Sequence, residues 1–474
     1  MTTLESTVSD LMDGLWSVLD ELVEFASVNT GDQDPNHPVA LCRKKIISKF
    51  NSAKPNIGAK DPAKELSLTY KGRPITPLVY ANWQSYKSNA PTVLIYSHYD
   101  VQPAKKEDGW ETDPFPSHLK PVNKPDGEDT RKYGRGAADD KSGIIMHLGV
   151  VQAFQSSGLP VNLKLVFEGE EETSFGTLED YLNDPDHPSA DLEPFQADVI
   201  VIADCGNVAR GVPTLTTTLR GYASFDITVH TLDSPVHSGM YGGPAPDAFM
   251  ALVRLLATLH DNNGDVAVAG LTRDDTYPFA PMDEEQFCIN AGVRRGVPLI
   301  GTGSLAQRLC GRPSINVVGL DGVNSTTQAA NVLCPQATAR ISVRLAPSQH
   351  PEEARQAIEK HLNGVRPWGI QPSVTFNSAG AGFRVDTDGK HVKTASEVLS
   401  KAYGDKPTAL AGVGGSIPLV NALKKINQHA DIVMWGCEEP RCRIHGTNES
   451  VSKDELTRMT IAETSLLEKI GNGA

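Results

Sequence analysis

The sequence predicts an α/β domain, its mostly parallel sheet covered by helices, interrupted by an inserted α+β domain. Three observations carry this reading. Short apolar runs without alternation recur between helical stretches in residues 1–210 and again in 385–474, the pattern of strands buried on both faces. Residues 211–384 switch to strict alternation, the pattern of half-buried antiparallel strands. A chain of 474 residues also exceeds one ordinary core, at roughly 100 to 200 residues per domain.

In chain order, Leu11, Leu15, Val18, Leu19, Leu22 and Val23 give residues 8–27 a helical stripe. Thr92–Tyr96 reads as a strand, 142–155 as a helix, and Leu163–Phe167 and Val199–Ala203 as further strands. In the inserted domain Phe225, Ile227 and Val229 alternate. A helix follows at 246–260 with Phe249, Leu252, Val253 and Leu256 on its apolar stripe. The order then repeats: Ile341, Val343 and Leu345 alternate, 352–362 reads as a helix, and Val374 and Phe376 begin a strand. Continuous apolar runs return with helices at 390–402 and after Pro418, a strand at Ile432–Trp435 and a helix at 452–469.

Composition narrows the function classes. A net charge of -14 repels phosphate backbones and anionic lipid, so neither nucleic acid nor a membrane surface is an expected partner. The first residues carry Glu5, Asp10 and Asp13 and do not read as a secretory signal. Seven scattered cysteines without a CxxC pair read as reduced thiols of a cytoplasmic protein.

Four segments offer metal-capable groups where a strand-like run ends: His98 and Asp100 in YSHYD, Asp139 and Asp140 in GRGAADDK, Glu170, Glu171 and Glu172 in FEGEEETS, and Asp204 in VIADC. Alone, each reads as a cap or a surface acid. Together, at the carboxyl edge of an open α/β sheet where ligands bind, they form a plausible metal site. One imidazole with several carboxylates and no thiolate suits catalytic zinc, manganese or cobalt; Cys205 reads as a small buried residue. HExxH, GxSxG, P-loop and GxGxxG motifs are absent.

SHYDVQP, YGRGAADDKSG, EGEEETS, IADC, VHSGMYGG, GGSIP and RIHGTNE stand in the order and at about the spacing found in the M20 family of dinuclear metallopeptidases. The chain resembles that family over nearly its whole length, and most of all its cytosolic dipeptidase and carnosinase-like branch. The resemblance implies two divalent metal ions per subunit, zinc ahead of manganese or cobalt. His98 and Asp204 would bind one ion, Glu172 and His445 the other, and Asp139 both, with a hydroxide bridging them. Glu171 is then the general base and Asp100 the acid that orients a ligand imidazole, with a cis peptide expected between Asp139 and Asp140. Aligning the family's acid-Gly-variable-acid-acid pattern on Glu168–Glu172 picks Glu171 and Glu172 over Glu170 and Glu171. His429 competes with His445, because CEEPRCRIHG departs from the family's commoner glycine-rich approach. The resemblance further assigns His237 to oxyanion stabilisation and Arg344, Ser416 and Asn331 to substrate binding. It makes the inserted domain a ferredoxin-like lid and dimerisation domain, with His237 acting in trans in a homodimer. The implied activity is hydrolysis of dipeptides or short peptides with a free C-terminal carboxylate. Alternatives are an N-acyl-amino-acid deacylase of the same family and, lower, a catalytically inactive metal-binding module.

Overall fold

Strand Thr92–His98 is buried from its second residue onward, as its unbroken apolar run requires. It pairs in parallel with Asn162–Glu168 on one side and Val199–Ile202 on the other, and the latter pairs in parallel with Asp431–Met434. Antiparallel strands flank these four: Leu78–Trp83 and then Lys64–Leu66 beyond Asn162–Glu168, and Thr214–Leu219 beside Asp431–Met434. This computed structural model describes residues 4–57, 62–116, 121–123, 129–173, 175–186 and 189–473. The chain divides into a first unit of Met1–Thr217, Val385–Ala411 and Ala422–Ala474 and a second of Thr218–Arg384 and Gly412–Asn421.

In the first unit, helices Leu4–Val23, Lys141–Ala153, Lys390–Ala402 and Lys453–Gly471 contribute to one large apolar cluster with the sheet. Lys141–Ala153 is buried almost all round, as the apolar residues on every side of its middle turns require, with Lys141, Ser142 and His147 buried among them. Its Gly149 has no room for a side chain: a Cβ would lie 2.7 Å from Thr460 and 2.8 Å from Leu15, side chains of the two helices beside it. Each leucine fully buried there contributes about 1.5 to 3 kcal/mol. The N-terminal helix starts four residues earlier than its stripe predicts and stops at Val23 rather than residue 27. The reason is tertiary: Ser27 Oγ donates to the carbonyl of Tyr99 at 2.7 Å and draws the chain out of the helix.

The second unit holds a four-stranded antiparallel sheet in the order Ser314–Asp321, Gln336–Leu345, Gly221–His230, Ser373–Gly380. Numbered along the chain that order is second, third, first, fourth, the ferredoxin-like arrangement. Helices Ala248–Leu256 and Pro351–Gly364 pack their apolar residues against it. Strict alternation in Gly221–His230 buries Phe225, Ile227 and Val229. Ser314–Asp321 escapes the sequence reading, because only Ile315 of its apolar residues is buried and Val317, Val318 and Leu320 face solvent. No helix among the described residues is long and apolar enough to cross a membrane.

Candidate metal centre

Parallel strands deliver three of the chemical segments to one edge of the sheet. His98 ends Thr92–His98, Glu170–Glu172 follow Asn162–Glu168, and Asp204 lies two residues beyond Val199–Ile202. Gly169 makes the turn after Glu168 possible, since a Cβ there would meet the Tyr99 ring at 2.3 Å. Asp139 arrives differently, and here the strand-end expectation is wrong. The preceding strand, Thr130–Tyr133, belongs to a separate three-stranded sheet with Pro121–Asn123 and Ser450–Ser452. Small residues then carry the chain through a turn into helix Lys141–Ala153, which Asp140 caps by accepting from Gly143 N at 3.2 Å. The other Asp140 oxygen accepts from His98 N at 3.2 Å, which ties the helix start to the strand end. The Asp139–Asp140 peptide is cis.

The geometry centres on Asp139. Its Oδ1 lies 2.8 Å from His98 Nε2 and its Oδ2 lies 3.0 Å from His445 Nε2, so the two carboxylate oxygens face two different imidazoles. Asp204 Oδ1 completes the first group at 3.7 Å from His98 Nε2, and Glu172 Oε1 completes the second at 3.1 Å from His445 Nε2. In each of the groups His98–Asp139–Asp204 and Asp139–Glu172–His445 the ligand atoms lie within 4.8 Å of one another. Atoms held about 2.1 Å from one zinc ion sit roughly 3 to 4 Å apart, so the donors fit a pair of divalent ions sharing Asp139. His98 Nδ1 lies 3.1 Å from the Asp100 carbonyl oxygen, which can only accept. In a neutral ring the proton therefore sits on Nδ1, which leaves the Nε2 lone pair for a metal.

Charge in this pocket is unbalanced in the way a cation corrects. Burial, reinforced by Asp204, pushes the Glu171 carboxyl well above the usual range, and burial raises Asp204 to about 6 against the pull of His98. Hydrogen bonding to Asp139 and Glu172 lifts His445 to about 10. Burial would also raise Asp139, but His445 and His98 hold it below its ordinary value.

Asp100 accepts from Glu171 N at 3.2 Å and Glu172 N at 3.0 Å and stands beside the His98 ring, so one acid fixes two segments. Glu170 turns away: its oxygens accept from Thr76 N at 3.0 Å and Leu178 N at 3.1 Å. His429 is exposed and precedes strand Asp431–Met434, at the opposite end from the cluster.

Three supporting residues escape sequence reasoning. Glu449, fully buried, accepts from Ala138 N at 3.0 Å and Asp139 N at 3.2 Å, and Arg135 Nη1 donates to it at 2.6 Å. Arg135 Nη2 also donates to the His445 carbonyl at 3.0 Å, so this ion pair joins the loop of one ligand to the loop of another. Gln102 Nε2 donates to Glu172 Oε2 at 2.8 Å and leaves Oε1 for His445. Their traces in the sequence are the late GTNE, the VQP after SHYD and the YGR that opens YGRGAADDKSG.

The second unit gathers the other candidates into two groups. Strand Val236–His237 pairs with Val332–Leu333, and Ser238 N donates to the carbonyl of Asn331 at 2.9 Å, which puts Asn331 beside His237. Exposed His237 accepts through Nδ1 from Gly239 N at 3.0 Å, so a neutral ring carries its proton on outward-available Nε2. Arg344 Nη1 donates to Ser416 Oγ at 3.1 Å and forms the other group.

Two cation-sized groups of oxygen and imidazole donors sharing one aspartate at a sheet edge define a class, the dinuclear metallohydrolases. Comparison narrows the class to a family. The family model described as Peptidase family M20/M25/M40 matches residues 94–469, and the chain belongs to that family. The chain is 38% identical over 386 residues to the cysteinylglycine-S-conjugate dipeptidase of Corynebacterium striatum, which covers 80% of this chain and 81% of the relative. It is 29% identical over 433 residues to the Cys-Gly metallodipeptidase of Schizosaccharomyces pombe, covering 87% and 86% of the two chains. Human carnosine dipeptidase 1 shares the fold with a TM-score of 0.79, at 23% identity and over 99% of this chain and 98% of that one.

Proposed function

We propose that this chain hydrolyses dipeptides and short peptides with a free C-terminal carboxylate, in a metal-dependent reaction run by Glu171 as general base. The observation that carries the reading is the division of Asp139 between His98 and His445. Two divalent ions would be held by His98, Asp139 and Asp204 and by Asp139, Glu172 and His445, with zinc ahead of manganese or cobalt. When bound, such a pair supplies Lewis acidity toward the peptide carbonyl and lowers the pKa of a water molecule.

Glu171 takes the proton from that water and returns it to the leaving amine; its raised affinity for protons, set by burial and then Asp204, suits a residue that must hold one between the two transfers. Asp100 keeps Glu171 and Glu172 in register through their backbone N–H groups. His237 donates from Nε2 to the oxyanion, and Arg344 with Ser416 and Asn331 holds the substrate, Arg344 taking the terminal carboxylate. The chain acts as a homodimer with His237 serving the partner's site, residues 211–384 forming the lid and dimerisation domain; the open edge strand Ser314–Asp321, with its exposed valines, supports this. Seven unpaired cysteines support a cytoplasmic location.

Relatives named for Cys-Gly and for cysteinylglycine S-conjugates put cysteinylglycine at the head of the substrate panel, and the deacylase alternative is not favoured. The test is turnover of a dipeptide panel against N-acetyl and N-succinyl amino acids on metal-reconstituted protein. Faster cleavage of the acyl amino acids would overturn the reading.

A further inference from the structure

Arg220 immediately precedes strand Gly221–His230, whose second residue, Tyr222, is the sheet partner of Arg344. It is 6% exposed, and its backbone N donates to the Gly415 carbonyl at 3.0 Å while its Nε donates to the Gly414 carbonyl at 2.9 Å. Nη1 reaches the Arg312 carbonyl and Ser314 Oγ, both at 3.3 Å. Arg344 holds the next residue of the same turn, Ser416. Gly414–Gly415–Ser416 is thus held between two guanidinium groups.

The acceptors that reach these groups, carbonyl and hydroxyl oxygens, are neutral, and no Asp or Glu pairs with Arg220 or Arg344 among the described residues. Burial, and then the charge of Arg344, lowers Arg220 to about 10. A buried guanidinium without a carboxylate is costly unless an anion is supplied. Among the described residues none is supplied, and the hydrogen bonds of the two groups use Nε and Nη1 of Arg220 and Nη1 of Arg344.

We propose that Arg220 is a positioning residue for the terminal carboxylate of the substrate: it fixes the Gly414–Ser416 turn beside Arg344 and adds a second positive charge that the carboxylate neutralises. This rests on the reading that Arg344 and Ser416 hold that carboxylate. The test compares a dipeptide with its C-terminal amide on the metal-loaded wild type and on Arg220→Met, Arg220→Lys and Arg344→Met. Loss of one charge-assisted contact predicts that Arg220→Met raises KM for the free dipeptide about 10- to 100-fold, keeps kcat within about threefold and leaves the amide nearly unchanged. Arg220→Lys restores charge without the fork that grips the turn, so its KM falls between the two. An equal factor on both substrates would reduce Arg220 to a structural role; should the Met variant not fold, the Lys variant decides by the same ratio. If Arg344→Met closes the gap between free and amidated forms and neither Arg220 variant does, the assignment of Arg220 fails alone. If Arg344→Met leaves the gap intact, the carboxylate reading fails with it.

Discussion

The candidate metal cluster of the first unit and the residues proposed to meet substrate in the second are built on opposite principles. In the cluster, almost every polar atom is spoken for: Asp139 by two imidazoles and the turn that carries it by Glu449, Glu172 by Gln102 and Asp100, His98 by the Asp100 carbonyl. In the second unit the candidates are left under-satisfied. His237 is exposed with one local hydrogen bond, and among the described residues the Arg344 guanidinium holds a serine hydroxyl and no carboxylate. Groups that must keep an ion in fixed geometry are braced before it arrives, whereas groups that receive a substrate keep donors free for it.

The widest break in that comparison comes from removing metal. Chelation is expected to abolish hydrolysis, and reconstituted protein to contain close to two ions per chain; full activity in exhaustively dialysed, metal-free protein would end the mechanism. Next comes Glu171→Gln, which keeps shape but cannot take a proton. It should lower the rate roughly 100-fold or more with metal content unchanged. Because Glu170 spends both oxygens on backbone N–H groups, Glu170→Gln should show up in thermal stability rather than in this rate effect.

For the under-satisfied region, His237→Ala should cost roughly 100-fold, the scale for one oxyanion donor. Mixing it with Glu171→Gln under subunit exchange sharpens the point. If His237 acts in trans, one site of each heterodimer is intact and activity returns toward half of wild type per dimer; if it acts in cis, mixing restores nothing. On the braced side, Glu449→Gln weakens the hold on Asp139 and Arg135 and should lower metal affinity about 10- to 100-fold, measurable by competition with a chelating dye. Arg344→Ala is expected to act on selectivity and not on the chemical step, by about 10- to 100-fold in the preference for free over amidated dipeptides; an unaltered ratio removes Arg344 from the site.

The same contrast explains what the sequence could reveal. His98, the Glu170–Glu172 triplet and Asp204 each close a short apolar run, and a parallel sheet brings such ends together whatever lies between them. Asp139 was identified, but its place was misread, because GRGAADD follows a strand of another sheet and owes its position to a helix cap. Glu449 and Arg135 sit inside RIHGTNE and YGRGAADDKSG, but nothing local marks them as partners, since they meet across 314 residues of sequence. Strand Ser314–Asp321 was missed for a related reason: its apolar residues face outward, and burial is what alternation reports. Arg220 carries no motif of its own, only its place before a strand.

The tie between Glu449 and the Asp139 turn also orders events in time. His98, Asp139 and Asp204 leave the ribosome early, but the inserted unit follows them, and neither His445 nor Glu449 exists until after it. A nascent chain therefore cannot complete the second cation group, or brace the shared aspartate, while the rest is being made. A chain ending before residue 445 would lack both the second imidazole that faces Asp139 and the carboxylate that braces its turn.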